Sequence, residues 1–454
     1  MSSETQEPDV HKNRLQRLQE VLDRGALKHA GKLLNALQPA EIAHLLESLP
    51  YAEREIIWGL VSEEHDGEVL LHVNDEVRAD LIRKMDLPEL LAAAEGLDTD
   101  DLADLVQDLP LTITWQVLDS LDHQHRERLE AVLSYGEDTA GGLMNTDTIT
   151  VRPEVPLDVV LRYVRRLRDK IPSSTDNLIV VNRRNKYLGV LSLTVLLTHD
   201  PEDIVAEVMS LDMEAIPATM PAREVANRFE HYDLVSAPVV DEEGNLLGRI
   251  TIDDVVDVIR EEGEHAFMGQ AGLSEDEDMF APVMVSARRR AVWLGVNLVT
   301  AFLASWVIGL FEATIDRIVA LAVLMPIVAS MGGIAGSQTL TLAIRGIALG
   351  QLSSKNARYL LTKELAVGAL NGLVWAAVVA VVAGLWFKSV GISILIATAL
   401  TINLVFAAFS GALLPLALEK LGIDPALAGS VLLTTITDVV GFMAFLGLAT
   451  VFLL

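Results

Sequence analysis

Beyond Arg290 the chain holds five apolar runs, near residues 291–311, 318–344, 364–387, 392–418 and 426–454. Each is long enough for the roughly 20 residues with which a helix crosses a bilayer. In lipid, backbone amides must be satisfied within the segment itself, so these runs predict five transmembrane helices. Arg288, Arg289 and Arg290, and the connection carrying Arg345, Lys355, Arg358 and Lys363, hold most of the positive charge near them. Both are expected on the cytoplasmic side, which puts the amino terminus inside and the carboxyl terminus outside a multi-pass protein of a cell (inner) membrane.

From Ala291 onward six acids face seven bases, a net +1, so the formal charge of −28 leaves −29 for the residues before it. A soluble region this acidic repels nucleic acid and anionic lipid, and cations are its natural partners. The chain has no cysteine, which excludes disulfides, thiolate metal sites and cysteine nucleophiles. The start, MSSETQEPDV, lacks the pattern of a signal peptide, so the soluble part is expected to stay in the cytoplasm.

Residues 1–135 read as an acidic, all-α domain. LQRLQEVLDRG (15–25), AEIAHLLESL, VRADLIRKM, LPELLAAAEG and DDLADLVQDL space their apolar residues by three and four. An internal repeat follows over 136–257. Met144 precedes TDTITV, a helix DVVLRYVRRLRD and LIVVNRRNKYLGVLSLTVLL; Met209 precedes SLDMEAI, a helix REVANRFEHYD and APVVDEEGNLLGRITIDDVV. Val180, Val181, Gly189 and Leu191 match Val239, Val240, Gly248 and Ile250 at a constant offset. Each copy reads as strand, helix, two strands and helix, and the pair resembles an α+β tandem CBS domain. CBS pairs often bind adenosine nucleotides, which makes ATP a candidate ligand.

A connecting helix and linker occupy 258–286, and the membrane domain 287–454. Between Asp253 and Asp278 ten acids meet one base, Arg260. Within the apolar runs only Asp438 lies well away from a predicted helix end. A carboxylate at that depth costs roughly 2.5–3.5 kcal/mol on insertion scales, so it faces the bundle or a watery path. Ser430, Thr434 and Asp438 follow at steps of four, on one helix face, which suits a hard cation that takes oxygen ligands; a packing carboxylate is the plainer reading. In the second run Pro326 and MGGIAGSQTLT predict a broken helix lining a cavity, or equally a GxxxG packing face at Gly332 and Gly336.

Enzymatic chemistry finds no support. An intramembrane zinc protease needs HExxH in the bilayer, whereas all ten histidines precede residue 266, and no Walker loop is present.

Taken together, YGEDTAGGLM (135–144), the acidic helix after TIDDVVDVI, GGxxGxQ in the second run and IDPALAGSVLLTTITDVVGF in the last resemble the MgtE-type bacterial magnesium channels over essentially the full length. The resemblance implies a homodimer with a pore on its twofold axis, lined by the second and fifth helices, with Ser337, Thr341, Ser430, Thr434 and Asp438 as pore residues. It also implies regulatory Mg2+ held by Asp101, Asp104, Asp233, Asp254, Asp257 and Glu262, closing the pore when cytoplasmic Mg2+ is high. Ile334 and Ser337 stand where many relatives carry asparagine, and His265 and Ala266 where they often carry acids. An ion-coupled exchanger of divalent metal and a membrane Mg2+ sensor without flux are the alternatives. Dependence on a proton or sodium gradient marks the first, and absence of flux the second.

Overall fold

A computed structural model describes residues 27–453, apart from 96, 108, 169, 170, 173, 274–276, 353 and 354. The helix expected over 15–25 lies outside the described residues. Contacts divide the chain into two units. One reaches to Glu262 and includes 277–282; the other takes 263–273 and everything from Val283.

The first unit opens with short helices from Leu27–Leu34 to His123–Leu133. Local chemistry punctuates them: Asn74 caps one start by accepting from the Val77 amide, and Asp86 and Glu89 form a capping box at another. Their apolar stripes close on a core of residues such as Leu46, Leu70, Leu81 and Leu105, all at most 1% exposed.

Two three-stranded sheets follow, with the same internal order. Strand β1 (Thr150–Val151) runs parallel to β2 (Asn177–Val181), which pairs antiparallel with β3 (Tyr187–Ser192); β4 (Ile216–Pro217), β5 (Ser236–Val240) and β6 (Leu246–Thr251) repeat the arrangement. The repeat holds residue by residue. Val180 faces Gly189 across one ladder and Val239 faces Gly248 across the other, each beside a register shift. Both glycines are needed for close approach. A Cβ on Gly189 would lie 2.4 Å from the Ser210 carbonyl oxygen, and one on Gly248 2.6 Å from that of Asn145. Those carbonyls directly follow Met209 and Met144, so the two methionine segments are added to the sheets in equivalent ways.

In the second unit five long apolar helices, Val283–Gly309, Ala320–Ala348, Ala357–Phe387, Val390–Lys420 and Pro425–Phe452, are each able to cross a membrane by length and composition; they are called here the first to fifth spans. The first begins eight residues before its predicted start, and Arg288 to Arg290 lie inside it. The second is continuous from Ala320 to Ala348 rather than broken. Its buried residues, among them Leu324, Val328, Gly332, Gly336 and Ala343, recur at steps of three and four and define one packed face. Glycine lets that face approach its neighbours: a Cβ on Gly336 would lie 3.0 Å from Leu433 of the fifth span, and one on Gly411 of the fourth 2.6 Å from the Gly336 carbonyl.

Candidate functional site: a polar recess and an acid cluster

The opposite face of the second span meets the fifth across an open recess of about 820 Å³, lined by Ala329, Ser330, Gly333, Ile334, Ser337, Gln338, Thr341, Thr434 and Asp438. Two hydroxyls here are held by their own helices. Ser337 Oγ donates to the Gly333 carbonyl at 2.8 Å, and Thr434 Oγ1 to the Ser430 carbonyl at 2.9 Å. Their lone pairs remain for a cation or its water shell. Four of the five residues expected at the pore, Ser337, Thr341, Thr434 and Asp438, share this recess. Ser430 is not among its lining residues. Gln338, Ser330 and Gly333 join the wall, and Ile334 places an apolar side chain in it.

Polar groups also sit behind the recess. Glu364, two turns into the third span and 6% exposed, accepts from Thr339 Oγ1 at 3.2 Å and pairs with Lys363 at 2.9 Å. It is a buried carboxylate of the membrane helices, whereas Asp438 is half-buried. Sequence reading missed it because the third apolar run begins only at Glu364, whereas the helix begins at Ala357.

Where the connecting helix Ile252–Gly269 ends, His265 Nε2 lies 2.6 Å from Asp424 Oδ2. Asp424 also caps the fifth span by accepting from the Ala426 amide at 2.8 Å. Gln270 Oε1 accepts from Thr341 Oγ1 at 3.3 Å, which ties the end of this segment to a recess residue.

In the first unit, helix Thr99–Gln107 brings Asp100, Asp101 and Asp104 up to the start of the connecting helix. Burial pushes Asp101 up to about 7, and repulsion from Asp98, Asp254, Asp253 and Asp257 adds to it. Asp104 is pushed to about 7 by burial, with Asp101 and Asp254 adding and Arg78 opposing. Burial also raises Asp254 to about 6, opposed by hydrogen bonds from the Thr251 amide and hydroxyl at 3.1 and 3.0 Å. Asp100 is held well above the carboxylate range by burial and then by Asp254, although Asn145 Nδ2 donates to it at 3.1 Å. Only Asp100 is buried by area; Asp101 and Asp254 are half-buried and Asp104 is exposed. The cluster is therefore a crowded recess with an open side.

Glu261 belongs to the same region. Burial raises it to about 7, with Asp257 and then Asp75 adding. Asp254, Asp257 and Glu261 stand at i, i+3 and i+7 on one helix face. Glu261 and Glu262 both keep exposed surface, and Asp233 is exposed at the left-handed end of helix Ala222–Tyr232. Among the described residues no three His, Asp or Glu side chains converge as direct metal ligands do. An all-oxygen, mutually repelling set of this kind fits a hard cation that keeps much of its water shell, as Mg2+ does.

The five spans, the tandem CBS pair and the acidic helical domain define a multi-pass membrane protein with a large soluble region. A family model described as a divalent cation transporter, MgtE, matches residues 325–448; the MgtE intracellular N domain matches 37–138, and CBS domains match 140–202 and 205–261. The chain is 31% identical over 442 residues to the magnesium transporter MgtE of Thermus thermophilus, covering 96% of this chain and 98% of that one. It is 26% identical over 433 residues to the magnesium transporter MgtE of Bacillus subtilis, covering 95% and 96%. A crystal structure of the cytosolic domain of the Mg2+ channel MgtE in complex with ATP matches at 33% identity and a TM-score of 0.49, over 53% of this chain and 98% of that one. The chain belongs to the MgtE family of magnesium transporters, and its named relatives are transporters rather than enzymes.

Proposed function

We propose that this chain conducts Mg2+ as a homodimeric channel, and that cytoplasmic Mg2+ closes it by binding the acids of the helical domain, the CBS pair and the connecting helix. The four parts, 1–135, 136–257, 258–286 and 287–454, act as sensor, regulatory module, coupling helix and pore. The amino terminus lies in the cytoplasm and the carboxyl terminus outside. The crowding of Asp101, Asp104 and Asp254 carries this reading, because carboxyls raised by burial and by neighbouring acids are stabilised in their charged form by any divalent ion that enters between them. High internal Mg2+ then favours the closely packed state and low Mg2+ the loose one, which is negative feedback. In the recess, Asp438 attracts the cation, while Ser337, Thr341, Thr434 and Gln338 exchange hydrogen bonds with its hydration shell. Asp233 and Glu262 join the regulatory Mg2+ ligands, and Ser430 the pore, in the assembled homodimer. ATP is the nucleotide we assign to the CBS pair, in line with the complex named for the cytosolic domain of a relative.

The test is flux into liposomes holding the full chain, with Mg2+, Mn2+ and Co2+ tried in turn and internal Mg2+ varied. Flux without a proton or sodium gradient, declining as internal Mg2+ rises, is the expected result. Gradient-dependent flux would replace the channel by an exchanger, and no flux by a sensor.

A further inference from the structure

Asn403 lies midway along the fourth span and is fully buried. Its Nδ2 donates to the Val328 carbonyl of the second span at 2.8 Å, while its Oδ1 is buried without a partner. Two glycines make room for the amide. A Cβ on Gly332 of the second span would lie 2.3 Å from Nδ2, and one on Gly441 of the fifth 2.8 Å from it. One side chain is thereby wedged between the two helices that wall the polar recess. Gly332 adjoins Gly333 in that wall, and Gly441 follows Asp438 by less than one helical turn. An apolar side chain of the same size would fill this space without an orphan acceptor, which has no water to turn to at membrane depth.

We propose that Asn403 is a positioning residue for transport: it fixes the spacing and axial register of the second and fifth spans at the level of Asp438, and so the fit of the ion. The proposal rests on reading the recess as the ion path. Mg2+ demands a near-ideal octahedron and loses water reluctantly, so small changes in wall spacing alter its passage relative to other divalent ions.

Full-length parent, Asn403→Leu, Gly332→Ala and Gly441→Ala proteins are compared in liposomes, with Asp438→Ala as the control on the path itself. Asn403→Leu keeps the volume and removes the donor; the alanines keep the donor and displace the amide. The expected result is a shift of about three- to tenfold in the Mg2+ to Mn2+ flux ratio and in half-saturating Mg2+, the size of one interhelical hydrogen bond in a membrane. A merely structural role lowers folded yield and maximal flux equally for both ions and leaves the ratio alone. A parental ratio and half-saturation in the variants that fold overturns the proposal, and so does failure of all three to fold, which makes the cluster a folding determinant. If Asp438→Ala conducts like the parent, the reading of the recess itself fails. If it is silent while the Asn403 and glycine variants match the parent, only the positioning role falls.

Discussion

Arg54 and Asp278 are separated by 224 residues and form an ion pair at 2.8 Å, with side chains 2% and 5% exposed. Arg54 also donates to the Leu46 and Leu49 carbonyls at 2.9 and 3.2 Å, and the Asp278 amide donates to Glu76 at 2.8 Å. The stretch just before the first span is thus fastened to the helical domain. Asp278→Ala leaves a buried guanidinium without its counter-charge, which costs about 3–5 kcal/mol. Thermal unfolding of the purified protein should show an early transition for the cytoplasmic part; an unchanged midpoint would mean the pair contributes little.

Asp438→Ala should reduce divalent flux by at least about tenfold, because it removes the recess carboxylate that offsets the cost of taking a cation into the membrane. Asp438→Asn should be severely impaired too, since an amide keeps the shape and loses the charge. Parental flux in the alanine variant would make Asp438 a packing residue.

Neutralising Asp254, Asp257 and Glu262 together should leave flux high at internal Mg2+ that silences the parent, with the inhibitory concentration raised about tenfold or more. Deletion of residues 1–130 should act in the same direction. Inhibition that is unchanged in both variants would reduce the acids to a solvated surface.

The acid cluster also predicts a pH dependence. Asp101 and Asp254 bind protons more tightly in the packed state, at about 7 and about 6 against the ordinary 3.8. Protonation therefore favours packing. In chelator the contribution is full below the ordinary value and is lost as pH rises through the raised ones. Amide exchange in helix Thr99–Gln107, corrected for intrinsic rate, should be slowest at low pH and faster at about pH 7.5. Millimolar Mg2+ should restore protection there, and KCl at matched ionic strength should do much less. Exchange that ignores pH in chelator would refute the link.

The repeat and the five spans were legible because both are written in local periods: Val180 and Val239 occupy equivalent register positions, and the spans declare themselves by length and apolarity. Helix ends were less so, since the first span continues backward through three arginines that no hydropathy reading includes. At the recess, Thr434 and Asp438 could be named from spacing, and Ser337 and Thr341 through the family resemblance, while Asn403 and Glu364 could not. Their roles come from partners 75 and 25 residues away, and pairing at such distances leaves no periodic trace in the chain. Arg54 and Asp278 were hidden for the same reason.

The close approach of Gly336 and Gly411 limits how the membrane domain can move. With less than a methyl group of clearance between their backbones, neither helix can roll about its own axis or slide by a residue without prising the pair apart. The second and fourth spans behave as one beam, and any widening of the passage must come from seams elsewhere. Substituting alanine at Gly411 would therefore act like a shim driven into a closed joint, felt on the far side of the beam where Ser337 and Gln338 face the recess.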